Sequence, residues 1–294
     1  MTQLRTQGHS LKAICNFAGI SRQAYHKRLI HQNRKAELYD QAEKVVLRNR
    51  GIKSRSGLRT IFYKEQLSTS LGVNQFEREM SARGFALKPY RSYIKTTDSR
   101  GHHYKFDNLV SGMNLRTDNQ VIVGDITYYQ NSSGLYYIFQ FQDYYTLELK
   151  GLIGSKTMEG VNAEKCLRQV FKYNKQGKYN HKLILHTDAG SQYRSHSFQR
   201  LLRNAQITPS HARNCLENGL SERTNGIVKN EYLLDYDIKN VAHLNRALQK
   251  IKHQVNEVWP SQALGYMTPK AFAQKIRGIQ ADKRPVKQIK EVKI

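Results

Sequence analysis

Acidic residues are scarce in this chain: 23 Asp and Glu stand against 48 Lys and Arg, a formal net charge of +25 over 294 residues. A surface so basic attracts polyanions, nucleic acid first among them. The excess is not confined to a tail, since residues 1–120 hold 22 basic against 9 acidic residues and residues 121–294 hold 26 against 14. Cysteine is scarcer still. Cys15, Cys166 and Cys215 lie too far apart for a zinc cluster or a disulfide framework, which fits a reducing, cytoplasmic compartment. Long hydrophobic runs are also missing. No apolar stretch approaches the ~20 residues of a membrane span, and Met1-Thr2-Gln3-Leu4-Arg5 is not followed by the apolar core of a secretory leader. Neither a membrane partner nor export is expected. His102-His103 has no cysteine beside it and reads as a solvated loop. No internal repeat or low-complexity tract stands out.

What is present reads as helices first and mixed α/β structure afterwards. Residues 11–29 form a candidate helix-turn-helix: Leu11, Ile14 and Phe17 follow helical spacing, Gly19 supplies a turn, and Ser21 is placed to cap a second helix. That helix carries Arg22, Lys27 and Arg28, candidates for contact in a major groove. Residues 36–50 read as a solvated charged helix and 51–57 as a basic loop. Gly57-Leu58-Arg59-Thr60 opens a further helix, and 74–83 another that ends at Gly84. Arg59 is a candidate phosphate contact. Residues 88–118, with Pro89 and scattered basic residues, read as a linker.

Beyond residue 119 the pattern changes. Strands are expected at 121–129, at 135–144 through the turn Asn131-Ser132-Ser133-Gly134, at 147–154, at 182–186 and at 207–209. Helices are expected at 158–173, at 197–205, and from Glu222 to about residue 234. Periodicity supports a mixed α/β fold. Residues 275–294 are basic with little apolar content and read as a partly disordered tail that adds phosphate attraction.

Three carboxylates fall in or beside these elements. Asp125 follows the apolar run Val121-Ile122-Val123-Gly124, Asp188 lies just beyond Leu183-Ile184-Leu185, and Glu222 opens a helix. Aspartate suits a rigid strand end, and the extra methylene of glutamate suits reach from a helix. Three such groups brought together can hold two divalent cations, and two metals can run an in-line attack on a phosphodiester. Mg²⁺ suits the task because it takes oxygen ligands and keeps open positions. Asp143 and Glu217 are the competing acids. Asp143 reads as structural; Glu217 lies five residues before Glu222, about 500° around a helix, and with Asn218 reads as capping or bracing the helix start. His186 reads as a packing or hydrogen-bonding residue, and Ser191, Gln192 and Tyr193 as shaping the loop around Asp188. Lys229, seven residues after Glu222, lies two turns on and on the same face.

The blocks around these acids resemble the DDE transposases of bacterial insertion sequences, in the group encoded in two overlapping frames, whose core is similar to retroviral integrases. The resemblance rests on Asp125-Ile126-Thr127-Tyr128, on His186-Thr187-Asp188-Ala189-Gly190-Ser191-Gln192-Tyr193, on Cys215 to Glu222 with 33 residues between Asp188 and Glu222, and on Ala263-Leu264-Gly265-Tyr266-Met267-Thr268-Pro269. Four ordered blocks over about 150 residues make the match specific. Ile122 and Gly124 stand where the family has Trp and Thr, and Ala189 where it has Arg; no departure removes an acid.

The resemblance implies an RNase H-like, mixed five-stranded sheet flanked by helices and preceded by all-α helix-turn-helix units. It implies a polynucleotidyl transferase using Asp125, Asp188 and Glu222 as catalytic and metal-binding residues, with two Mg²⁺ ions for which Mn²⁺ substitutes. Lys229 is implied to touch DNA near that site. Element ends and target DNA are the implied partners, with a homo-oligomer on DNA and the upstream-frame product of the same element as further ones, on the nucleoid of a bacterial cytoplasm. The expected domains are 1–35, 36–87, a linker at 88–118, a catalytic core at 119–275 and a tail at 276–294. Two other readings stay open: a non-catalytic DNA-binding regulator derived from such an element, and an RNase H-type nuclease acting on RNA–DNA hybrids.

Overall fold

The computed structural model describes residues 8, 10–88, 106–173, 183–213 and 215–291. It divides into two compact units, one of Met1–Ile52 with Gly57–Leu87 and one of Lys53–Ser56 with Lys88–Ile294. Each is built by a different local logic.

The first unit is helical. α1 (Leu11–Phe17) starts where the Ser10 hydroxyl accepts the Ala13 N–H at 3.2 Å. Gly19 turns the chain at φ +63°, and the Ser21 hydroxyl caps α2 by accepting the Ala24 N–H at 3.0 Å. The expected cap and turn are both there. The expected end of the second helix is not: α2 runs from Arg22 to Ile52 without a break, straight across the boundary expected between residues 35 and 36. It contains no proline, and its first glycine is Gly51, so nothing in 36–50 stops it. α3 (Leu58–Lys64) and α4 (Val73–Met80) follow, and α4 widens into a π turn, Ser81–Phe85, in which Gly84 takes φ +89°. Tyr39, Ala42 and Val46 of α2 recur at helical spacing and are buried, as are Ile61, Phe62, Phe76 and Met80, with the rings of Phe62 and Phe76 5.6 Å apart. Arg83 ties the π turn to α2 through Asp40 at 2.8 Å and Glu43 at 2.6 Å.

The second unit is built on a five-stranded sheet of β2 (Val121–Asn131), β3 (Gly134–Asp143), β4 (Leu149–Ser155), β5 (Ile184–Thr187) and β6 (Thr208–His211), in the order β4-β3-β2-β5-β6. β2, β3 and β4 form an antiparallel meander; β5 and β6 join parallel. The five strands stand where the sequence set them, within a few residues at each end. α5 (Gly160–Tyr173) covers one face, where Phe139, Phe141, Ala163, Cys166 and Leu167 form a buried cluster with Ile122 and Leu185. Gly124 lies opposite Phe141 in the β2–β3 register. A Cβ there would come within 2.3 Å of the Phe141 ring, so the glycine in place of the family's threonine makes room for that ring.

β4 is an edge strand, and exposed edges invite pairing with other chains. Here α9 (Val241–His253) and the π turn after it close the edge with side chains. Asn245 exchanges two hydrogen bonds with the backbone of Gly154, at 2.9 and 2.8 Å, and Asn256 exchanges two with Leu149, at 2.8 and 2.9 Å. Gln249 donates to the Leu152 carbonyl and Lys252 to that of Lys150.

The other face carries α8 (Gly219–Ile227) and α10 (Pro269–Arg277). Here the expected tail is corrected. β7 (Lys287–Gln288) pairs antiparallel with β1 (Asn114–Leu115), and Ile276 and Ile289 pack with Val110, Leu115, Val121 and Val123 in a second buried cluster. Apolar residues spaced too widely for a sequence pattern are enough to seat 276–291 on the sheet. The end of the expected linker joins the same layer through β1; residues 89–105 lie outside the described residues. Among the described residues no helix is long and apolar enough to cross a membrane.

Candidate active site

The strand register brings the first two carboxylates abreast. Val123 of β2 pairs with His186 of the parallel strand β5, and Asp125 and Asp188 each lie two residues further on. Asp188 is exposed just past the end of β5, with one carboxylate oxygen accepting the Gly190 N–H at 3.1 Å. Gly190 permits that turn, since a Cβ there would lie 2.9 Å from the Asp188 oxygen and 2.8 Å from the Gln192 amide oxygen. Glu222 sits exposed in the first turn of α8.

Asp125 carries the electrostatic signature of the site. Burial raises its carboxyl from the usual range to about 7, and the like charges of Asp188 and Glu222 push the same way. The Ile126 N–H and the Asn225 side chain act against the shift. Asn225 Nδ2 donates to the Asp125 carboxylate at 2.7 Å. Burial raises Glu222 as well. Asp125 thus feels both of the other acids. Asp143 does not join them. It is fully buried and accepts from the backbone N–H groups of Asn119, Tyr145 and Thr146 and from the Thr146 hydroxyl, so it ties the end of β3 together.

The surrounding residues have defined parts. His186 is buried with Nδ1 2.9 Å from the Ser210 hydroxyl, and burial pulls it down to about 4 against the opposing pull of Glu217; it is a neutral hydrogen-bonding residue at neutral pH. Tyr193, in the short helix α6 (Ser191–Arg194), is buried between Phe141 and Phe198 of α7 (His196–Asn204). The expected cap by Asn218 takes another form: its side chain makes no capping bond and donates to the Gly124 carbonyl at 3.3 Å, bracing α8 against β2. Glu217 accepts the Arg213 N–H at 2.6 Å.

The donor set is three carboxylates, hard oxygen ligands of the kind Mg²⁺ and Mn²⁺ take. Burial raises Asp125 most, and the repulsion from Asp188 and Glu222 that adds to it is what a divalent cation would relieve, so the residues fit such an ion chemically. As placed, no three His, Cys, Asp or Glu side chains among the described residues stand close enough to hold one. Asp188 and Glu222 are both exposed, so packing does not fix their rotamers.

This arrangement matches known sequences. Residues 116–215 and 203–269 each match an integrase core domain family. Over 91% of this chain and the whole of the relative, the sequence is 25% identical to the insertion element IS600 uncharacterized 31 kDa protein of Shigella sonnei. It is 28% identical, over 66% of this chain and 77% of the relative, to the transposase for insertion sequence element IS904 of Lactococcus lactis subsp. lactis. The chain belongs to the insertion-sequence transposases with an integrase-like core. It is a polynucleotidyl transferase of DNA recombination. Among solved structures, the HTLV-2 integrase catalytic core in complex with magnesium aligns with 56% of the transposase and 99% of that chain, at 22% identity and a TM-score of 0.43. A simian T-cell lymphotropic virus intasome aligns with 82% of the transposase and 77% of that chain, at 16% identity and a TM-score of 0.47.

The other site residues of the transposase fall in three places. Lys229 lies in the π turn Val228–Tyr232 that follows α8, half-buried, its ammonium 4.9 Å from the centre of the Tyr128 ring. Burial lowers its pKa and Asp125 opposes the change. Arg22, Lys27 and Arg28 are exposed on the first turns of α2. Arg59 is engaged by Glu77 and Asn74, so a phosphate there would have to displace a carboxylate. Sequence reading misses Asn225, which lies one helical turn after Glu222 and so on its face; that spacing is the available signal. It also misses the glutamines of β3 beneath α8, for which no local signal exists.

Proposed function

We propose that this transposase cleaves DNA at the ends of an insertion sequence and joins the freed 3′-hydroxyl to a second phosphodiester, using two divalent ions held by Asp125, Asp188 and Glu222. The observation that carries the reading is the Asp125 carboxyl within β2, raised by burial and by two like charges, Asp188 just past the end of the adjacent parallel strand and Glu222 in the first turn of α8. When bound, Mg²⁺, or Mn²⁺ in its place, supplies activation of the attacking hydroxyl and stabilisation of the leaving oxygen.

The chain's own residues supply positioning, which dominates when little covalent work is left to the protein. The sheet fixes Asp125 and Asp188 side by side, Asn225 orients the Asp125 carboxylate, and α8 delivers Glu222 from the facing side. Lys229 offers its charge to a DNA phosphate beside the site. Arg22, Lys27 and Arg28 of the helical unit supply further phosphate contacts to duplex DNA, and Arg59 in its present pairing braces α3 against α4. His186 is neutral and hydrogen-bonded, which suits a supporting part.

In this reading the helical unit, 10–52 with 57–87, binds DNA, and the sheet unit, 53–56 with 106–291, is catalytic. Two DNA ends must be handled together, so a homo-oligomer on DNA is the working form, with the upstream-frame product as an added partner in end recognition, in a bacterial cytoplasm. The test is a labelled duplex copied from the DNA flanking the reading frame, incubated with the full chain over a Mg²⁺ titration. The reading requires cleaved and joined strands that saturate with Mg²⁺ and vanish with a chelator. Binding to the duplex without product at any Mg²⁺ or Mn²⁺ concentration, with the upstream-frame product added, would favour the non-catalytic regulator.

A further inference from the structure

β3 is buried on both faces, and its two faces have opposite chemistry. Phe139 and Phe141 enter the apolar cluster beneath α5. Gln140 and Gln142 alternate with them and point to the side of α8, at 1% and 5% exposure. Burying an amide costs free energy that an apolar side chain would not, so two amides in succession in a central strand call for an explanation.

Their hydrogen bonds supply it. Gln140 Nε2 donates to the carbonyl of Ser221 at 2.8 Å. The Thr224 hydroxyl donates to Gln142 Oε1 at 2.7 Å, and Gln142 Nε2 donates to the Leu147 carbonyl at 2.8 Å, which fixes the amide's orientation. Ser221 immediately precedes Glu222, and Thr224 lies two residues after it. Gln140 itself is the register partner of Asp125. The two amides thus grip the catalytic helix on either side of its carboxylate, from a strand locked to the one that carries the first acid. Apolar contact would let α8 slide or rotate, whereas hydrogen bonds fix distance and direction. Gln140 Oε1 and the Ser221 hydroxyl are buried with no hydrogen-bond partner among the described residues, a cost a purely stabilising contact would avoid.

We propose that Gln140 and Gln142 are positioning residues for the metal site: through Ser221 and Thr224 they set the height and rotation of α8, and so hold Glu222 where it shares an ion with Asp125 and Asp188. The inference rests on the three acids binding metal.

The test uses the full chain, with Gln140→Met and Gln142→Met, which keep side-chain length and remove the amide, and with Thr224→Val. Three quantities are read: melting temperature without metal, Mn²⁺ affinity by titration calorimetry, and the Mg²⁺ concentration giving half-maximal strand joining. Gln140→Met also removes an unpaired amide oxygen and is expected to melt close to the wild type, whereas Gln142→Met leaves the Leu147 carbonyl without its donor and is expected to melt lower. Mn²⁺ affinity should fall about tenfold, the usual cost of losing a group that orients a metal ligand, and the Mg²⁺ midpoint should rise in parallel while joining recovers at high Mg²⁺. Gln142→Met and Thr224→Val share one bond and each also removes another, to the Leu147 and Leu220 carbonyls, so their double variant should lose less Mn²⁺ affinity than the two single losses combined. Unchanged Mn²⁺ affinity in both methionine variants, or a loss of joining that follows only the unfolded fraction, overturns the proposal. Glu222→Gln separates it from its premise: if that variant binds Mn²⁺ as the wild type does, the metal-binding reading of the three acids fails first.

Discussion

Asp125 holds a proton that the unfolded chain would give up. Its carboxyl is raised from 3.8 to about 7 by burial, with Asp188 and Glu222 adding to the shift. Between about pH 4 and pH 7 the folded protein therefore binds more protons than the unfolded chain, and stability is lost as pH rises through that window. Asp125→Asn removes the loss. In metal-free buffer its melting temperature should match the wild type near about pH 4 and exceed it increasingly up to about pH 8. His186, lowered from 6.5 to about 4, acts in the opposite direction over nearly the same range, but it is present in both proteins and cancels in the difference. A gap that does not vary with pH would contradict the burial and repulsion argued for Asp125. Gly124 offers a second check at this scale. Gly124→Ala places a Cβ against the Phe141 ring and should cost about 1–3 kcal/mol in denaturant melts. Trimming the ring in Gly124→Ala/Phe141→Leu should recover part of it, and an additive loss would show that the ring is not the obstacle.

At the scale of elements, the edge of β4 depends on a few side chains of α9 and the turn after it. Asn256 satisfies both backbone groups of Leu149. Asn256→Ala leaves two buried polar groups unpaired, at about 1–3 kcal/mol each, and uncovers a strand edge. Chemical denaturation should show a loss of that size, with faster aggregation; a change below about 0.5 kcal/mol would mean the edge is covered by other means. This helix also shows where a sequence stops being legible. Asn245, Gln249, Lys252 and Asn256 recur at helical spacing, a pattern that reads as a solvated face until β4 is known to lie beneath it. The strands themselves are readable because apolar runs such as Val121-Ile122-Val123 and the Asn131-to-Gly134 turn are local signals. Asp188 and Glu222 stand out because each lies at the boundary of such an element, and Asp125 because it directly follows an apolar run. The length of α2 escapes a reading that sets a separate helix before the basic, Gly-containing loop at 51–57, although no breaker lies between Arg22 and Gly51. The seating of the chain's end escapes it too, because Ile276 and Ile289 are too far apart in a basic segment to signal that both are buried. Gln140 and Gln142 look like polar interruptions in a strand until α8 is seen above them.

For the whole molecule the dominant property is charge. A net charge of +25 releases counterions from DNA on binding, so affinity for any duplex should fall steeply and linearly in a plot of log K against log salt. Arg22→Ala/Lys27→Ala/Arg28→Ala should flatten that slope by roughly 0.9 for each phosphate left without its cation, while Lys229→Ala should lower strand joining with little change in overall binding. A triple variant with an unchanged slope would remove the first turns of α2 from the DNA interface. The measurement that bears most directly on the account is strand joining on the element-end duplex in saturating Mg²⁺, comparing the wild type with Asp125→Asn, Asp188→Asn and Glu222→Gln at matched DNA occupancy. Joined product from the wild type and none from any of the three, with all four proteins folded and bound, is the result predicted for one shared metal site. Joining that survives the loss of any one of these acids would contradict it.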